Sequence, residues 1–188
     1  MIIGGTGMLR RVSLYLAGTG DVVTVVARSR EALRTLAEEA HRQGGVINPV
    51  AVDYGDSPLF QDALNCAVRD HGRVERVVTW IHASAKEAPA IVARAVGRCR
   101  FACRYFELCG SGAHDPSETA ERRRAEMKRV GNIVYRQIIL GFIREPGGSR
   151  WLSNDEIAEG VIEALESDNP RQVVGVLHPW SDRPNSSC

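Results

Sequence analysis

Residues 2–9, Ile2-Ile3-Gly4-Gly5-Thr6-Gly7-Met8-Leu9, decide how this chain is read. A short apolar strand runs into three glycines and then into an amphipathic segment. That order presents backbone N–H groups to a phosphate. Glycine adopts the angles a tight turn needs, and its missing Cβ lets an anion approach the main chain. The helix that follows points its positive end at the same place. In a chain of 188 residues with 18 glycines, such a stretch is by itself often only a turn. Its meaning rests on what comes after it.

What comes after is an alternation of β-branched runs and helical segments, the pattern of βαβ units in a parallel sheet. Strands are expected at Met1–Ile3, Val22–Ala27, Val46–Val52, Val74–Ile81, Phe101–Leu108, Asn132–Leu140 and Gln172–Val176. Several are almost continuously apolar, as strands covered on both faces are. Helices are expected at Gly7–Ala17, Ser29–Arg42, Ser57–Asp70 and Glu87–Val96, each closed by a nearby glycine. Ser153-Asn154-Asp155-Glu156 is a capping box that starts a further helix carrying Ile157, Val161 and Leu165 on one face. The expectation is an α/β fold, a doubly wound parallel sheet of the Rossmann type in three layers, with strand order 3-2-1-4-5-6-7. Residues 1–178 form one dinucleotide-binding domain in this reading, and 179–188 an irregular tail. The first strand is short for its class. Either the central strand is short here, or the chain begins upstream of Met1.

Bulk properties narrow the function. Hydrophobic content of 44%, charged content of 25% and a net charge of +1 describe an ordinary globular protein. They give no electrostatic reason to expect nucleic acid or a membrane surface. No apolar run is long enough to span a bilayer, and no secretory leader is visible, so a cytoplasmic location is expected. The five cysteines are read as thiols, and no metal site is expected, because Cys99 and Cys103 lack further ligands.

Three features fall where a dinucleotide site needs them. The second strand ends in Arg28-Ser29-Arg30 rather than in the acidic residue that binds a ribose 2′-hydroxyl. Two guanidinium groups flanking a hydroxyl suit a 2′-phosphate, hence NADP(H) in preference to NAD. The other reading, solvated residues at a helix start, sits less well with the helix dipole. The third strand ends in Asp53-Tyr54, which suits an adenine ring or, equally, a turn or helix cap. The fourth ends in His82-Ala83-Ser84, small enough for a ribose to cross the sheet edge; His82 is otherwise a strand-end histidine.

Together with Gly4, Gly5, Thr6, Gly7 and Met8, these residues resemble the short-chain dehydrogenases/reductases, and more closely their small atypical members. The likeness covers nearly the whole chain and extends to Tyr135-Arg136-Gln137, Arg150-Trp151-Leu152-Ser153 and the helix after them. It implies NADP(H) binding, a small-molecule substrate and homodimers. Two departures stand out. Arg10 occupies the place of the family's third glycine, so helix and strand pack less closely or Arg10 reaches toward the pyrophosphate. The family's catalytic Tyr-x-x-x-Lys is missing: the residues four after Tyr15, Tyr54, Tyr105 and Tyr135 are Thr19, Pro58, Cys109 and Ile139. Arg124-x-x-x-Lys128 keeps the spacing, but arginine is no acid at neutral pH.

The resemblance places Ser111, in Gly110-Ser111-Gly112, where the family's substrate-orienting serine stands. A serine there hydrogen-bonds a carbonyl oxygen that gains charge; the alternative is a flexible turn. His82 or His114 then supplies a proton, as histidine does near neutral pH. No nucleophile elbow supports a hydrolase, and Glu121-Arg122-Arg123-Arg124 reads as a solvated helix face. Two functions remain: an NADP(H)-dependent oxidoreductase of small carbonyl-type substrates with a non-standard proton donor, or an NADP(H)-binding sensor or partner protein without activity.

Overall fold

The β-branched runs assemble into one parallel sheet. The computed structural model describes residues 1–110, 116–127 and 129–184. Its seven parallel strands are β1 (Ile2–Ile3), β2 (Val22–Ala27), β3 (Val46–Ala51), β4 (Arg76–Thr79), β5 (Cys103–Cys109), β6 (Ile133–Leu140) and β9 (Arg171–Val174), in the order β3-β2-β1-β4-β5-β6-β9. This is the expected doubly wound order, the expected seventh strand being β9. Helices α1 (Arg10–Gly18), α2 (Arg30–Arg42), α3 (Ser57–His71), α4 (Ala88–Val96), α5 (Pro116–Met127) and α6 (Asn154–Ser167) make the crossovers.

Strand alternation divides the core into two layers. Ile2, Val25, Phe106 and Ile138 pack with Leu16, Leu36 and Val161 of α1, α2 and α6. On the other face Ile3, Val26, Val77 and Tyr105 pack with Leu64 and Val92 of α3 and α4. Residues i and i+1 of a strand point to opposite faces, so a run such as Val25-Val26 serves both layers. Pro49 lies in β3, where one side needs no ladder bond because β3 is an edge strand. Among the described residues no helix is long and apolar enough to cross a membrane.

Three boundaries, one unassigned stretch and one helix face stand out against the sequence reading. The short first strand is shorter still, two residues with both side chains fully buried. Helix α1 starts at Arg10 and not at Gly7, because Gly4–Leu9 all remain in the turn. β4 covers Arg76–Thr79 rather than Val74–Ile81, since β1 and β5 offer partners over only four residues. The sequence reading leaves 142–151 unassigned, and there β7 (Phe142–Glu145) and β8 (Gly148–Trp151) form an antiparallel hairpin. Gly147 at φ +92° makes its turn.

Long-range polar contacts fasten the hairpin. Arg144 pairs with Asp182 at 2.5 Å, the Ser149 hydroxyl donates to the Asp182 carbonyl, and Arg150 pairs with Glu156 at 2.8 Å. The expected irregular tail thus carries a short 3-10 turn, Trp180–Asp182, that holds the hairpin.

The face of α5 expected to be solvated is partly turned inward. Arg123 donates to both carboxylate oxygens of Glu107 on β5 at 3.1–3.2 Å, and the Tyr135 hydroxyl of β6 donates to the same carboxylate. Only 22% of the Arg123 side chain and 13% of the Glu107 side chain are exposed. Arg124 in turn donates to the Pro170 carbonyl at 2.9 Å. Burial, and then the Glu107 charge, push the Tyr135 phenol far above its ordinary range.

The capping box of α6 is present as read: Glu156 N–H donates to Ser153 Oγ at 3.2 Å, and Ser153 N–H to Glu156 Oε2 at 2.8 Å. Ser153→Ala is expected to lower unfolding stability by about 1 kcal/mol in a urea melt. An unchanged midpoint would show that the cap contributes nothing beyond what water supplies.

Candidate functional site

The four adjacent strands β3, β2, β1 and β4 run the same way, so the segments leaving their C-terminal ends meet along one edge of the sheet. Gly4–Met8 leave β1, Arg28–Arg30 leave β2, Asp53-Tyr54 follow β3 and His82–Ser84 follow β4. The structure therefore brings these sequence-selected residues together. Ser111 and His114 lie outside the described residues, as does Lys128.

Each glycine of the turn has its own job. Gly4 has φ +84°, and a Cβ on it would stand 2.8 Å from the Trp80 carbonyl oxygen. A Cβ on Gly5 would meet Val25 at 2.6 Å and the Ser13 hydroxyl at 2.8 Å. These two let the turn lie flat between β2, β4 and α1. Gly7 has nothing within 4 Å of such a Cβ and is exposed. It leaves the outer side of the turn open, where an anion can reach the main chain.

Ser13 ties the turn to the helix. Fully buried, it donates to the carbonyls of Gly5 at 3.1 Å and Leu9 at 3.0 Å. Sequence reasoning passed over it; the signal is a lone hydroxyl between the buried Val12 and Leu16. No side chain caps the start of α1, and no acidic residue stands in its first turn. Its N–H groups and dipole are left for an external anion. Arg10 is not the arm toward a pyrophosphate that its position suggested: it is bound to Glu39 of α2 and pulls that carboxyl below its ordinary range. The pair instead bridges α1 to α2.

At the end of β2, Arg28 and Arg30 are exposed, and neither meets a carboxylate among the described residues. Two guanidinium groups with a hydroxyl between them therefore stand together at one strand end. Ser29 accepts from Ala32 N–H at 3.2 Å as the cap of α2, and its hydroxyl proton stays free to donate. Asp53 closes a turn by accepting from Gly55 N–H at 2.8 Å, while Asp56 caps α3. Tyr54 packs edge-on to Phe60, ring centroids 6.4 Å apart, and its hydroxyl oxygen accepts from His82 N–H at 3.4 Å.

His82 is held in one tautomer. Its Nδ1 accepts from Ser84 N–H at 3.3 Å and lies 2.9 Å from Ser84 Oγ. Because the backbone group can only donate, Nδ1 must be the acceptor, and the neutral ring carries its proton on Nε2. That leaves an exposed N–H able to donate. Ala83 beside it is exposed and small. Trp80, just past β4, covers Gly110 at the end of β5, where a Cβ would be 3.1 Å from its ring. Cys109 is no nucleophile: burial pushes its thiol up to about 12.

No protein-family model matches the sequence, and no curated protein matches it. Solved structures do. A short-chain dehydrogenase/reductase from Serratia marcescens superposes with TM-score 0.73 at 14% identity, over 93% of this chain and 94% of that one. A metagenomic short-chain oxidoreductase in complex with NADP gives 0.66 at 17% identity, over 98% and 96%. An actinorhodin polyketide ketoreductase variant with NADPH gives 0.66 at 16%, over 93% and 94%. At such identities the likeness is one of fold. The chain has the fold of the short-chain dehydrogenases/reductases.

Proposed function

We propose that this chain binds NADP(H) along the C-terminal edge of the sheet and is an oxidoreductase of small carbonyl-type substrates. The observation that carries the reading is the unpaired Arg28 beside Arg30, one strand away from a glycine turn whose outer side is open. The residues fit the group: the Gly4–Met8 main chain and the uncapped start of α1 suit a pyrophosphate, Arg28, Ser29 and Arg30 a 2′-phosphate, and Asp53 and Tyr54 an adenine. Ala83 and Ser84 leave room for a ribose. Fold relatives whose structures contain NADP or NADPH support the same choice. Bound NADPH supplies a hydride; this chain's own part is to orient the substrate and deliver a proton. Ser111 is proposed to hold the carbonyl oxygen, with the Nε2–H of His82, or His114, as proton donor in place of a tyrosine.

A second reading has an observation in its favour. The arginines of α5 that stand near the place of the missing phenol are engaged, Arg123 by Glu107 and Arg124 by Pro170. With neither arginine able to act as the missing acid, such a helix suits a sensor that binds NADP(H) without turning it over. Incubation with NADPH and a panel of aldehydes, ketones, enones and imines separates the two. Turnover that Ser111→Ala abolishes supports the enzyme, and tight binding without turnover supports the sensor.

Both readings share a prediction. Arg28→Ala is expected to weaken NADPH binding about 10- to 100-fold, the worth of a charge-assisted contact, and to leave NADH within about twofold. Fluorescence titration of the reduced nicotinamide measures both. Equal losses for the two nucleotides would remove the 2′-phosphate role.

A further inference from the structure

The segments that lead into β4, β5 and β6 lie side by side at the N-terminal edge of the sheet, because these strands are parallel neighbours. That edge is opposite the glycine turn. Residues 88–106 carry four arginines and no acid. Arg73, Arg94, Arg98, Arg100 and Arg129 are all exposed at this edge. Arg94, in the last turn of α4, answers the helix dipole. Arg100 and Arg129 stand in loops and have no such reason. Carboxylates are scarce among them. Arg73 meets Glu75 at 3.2 Å, and Arg98 meets only the neutral Asn65 Oδ1 at 3.2 Å. Arg94, Arg100 and Arg129 meet no carboxylate among the described residues.

An aromatic ring organises two of these cations. Phe101 is 53% exposed, and the guanidinium carbons of Arg73 and Arg100 stand 4.7 and 5.2 Å from its ring centroid. Attraction to the ring holds both charges at the surface against their mutual repulsion. The backbone beneath them is fixed. Asn132 Nδ2 donates to the carbonyls of Cys99 and Arg100 at 3.2 and 3.1 Å, and Asn132 N–H donates to Gly97 O at 3.2 Å. Gly97 itself is pressed against this neighbour: a Cβ there would stand 2.9 Å from Asn132 N. Like charges gathered around an exposed ring cost the free chain electrostatic energy, and an anionic partner recovers it.

We infer that this face binds a short acidic peptide segment of a partner protein, with carboxylates on Arg98, Arg100 and Arg129 and an apolar side chain against Phe101. Guanidinium forks match carboxylates with two bonds at a time. Arginine around an aromatic residue is also the composition of protein–protein interface centres. Size decides the class of anion. Three adjacent strand ends span about 10 Å. That is room for a few carboxylates, whereas nucleic acid draws its affinity from many phosphates along a longer track. Asp70 and Glu75 at the end of α3, and Asp168 before β9, flank the patch and repel a polyanion that overruns it. The Phe101 ring already carries two guanidinium groups and is a poor platform for a base.

Fluorescence anisotropy of a capped, labelled Asp-Glu-Phe-Glu-Asp peptide at about 0.15 M salt tests this. The expected Kd is about 10–100 µM. Arg98→Glu combined with Arg100→Glu is expected to weaken binding more than about tenfold, and Phe101→Ala about fivefold. All three side chains are exposed, so Tm is expected to stay within about 2 °C in both variants. A peptide with Asn and Gln in place of the acids tests the charge on the unaltered protein and is expected not to bind. Oligothymidine and phosphatidylserine vesicles are expected to bind more weakly than the acidic peptide. No binding up to about 1 mM, equal binding of the neutral peptide, or binding that either variant leaves intact would each overturn the assignment. Tighter binding of the oligonucleotide or the vesicles would overturn it as well.

Discussion

Glu107→Ala is expected to destabilise the protein by about 3 kcal/mol, the largest loss anticipated from any single polar substitution. Glu107 receives Arg123 from α5 and the Tyr135 hydroxyl from β6. Its removal leaves a buried phenol without its acceptor and a largely buried cation with only the exposed Glu126, and that desolvation is what costs. Glu107→Gln keeps an acceptor for both and is expected to lose only about 1 kcal/mol. Urea denaturation of both variants checks the difference. If alanine and glutamine cost the same, the charge carries the effect and a neutral acceptor does not replace it; if neither costs anything, α5 is not held to the sheet through this carboxylate.

The second large effect separates two glycines of one turn. Gly4→Ala places a Cβ at φ +84°, a conformation that costs a side-chain-bearing residue about 1–2 kcal/mol. It also sets that atom 2.8 Å from the Trp80 carbonyl, so a total near 3 kcal/mol is expected. Gly7→Ala meets nothing within 4 Å and is expected to change stability by no more than about 0.5 kcal/mol. Its effect falls on the ligand instead: the added methyl group occupies the open side of the turn, and NADPH affinity is expected to fall more than about tenfold. Thermal melts and nucleotide titrations on the two variants read the split. A stable Gly7→Ala protein that binds NADPH normally would move the phosphate site away from this turn.

How much of this was legible beforehand depends on the range of the interactions concerned. Ser29 and Ser153 announce their helices because a cap acts over three residues. Val22–Ala27 announces a buried strand because its composition suits two covered faces. The hairpin 142–151 carried no such signal. It is rich in arginine and glycine, and Asp182 that fastens it lies more than thirty residues on. Arg123 was misread for the same reason. Three consecutive arginines suggest water, and Glu107, sixteen residues earlier on strand β5, turns the middle of the run inward. The glycine turn, Arg28–Arg30 and His82–Ser84, proposed to form the site, could be picked out in advance because each stands at a strand end. The tautomer of His82, the Ser13 tether and the cover that Trp80 places over Gly110 could not.

By itself, then, the stretch from Ile2 to Leu9, with the β-branched runs after it, determined the layer architecture and the end of the sheet at which the glycine turn lies. Both follow from local geometry: strand and helix periods, glycine at a turn, and crossovers of one hand. Tertiary structure alone decided which charges are spent and which are free. Arg10 and Arg123 are tied to Glu39 and Glu107, while Arg28 meets no carboxylate among the described residues. A charged side chain is long and indifferent to secondary structure, so its partner is chosen by what the fold brings within reach.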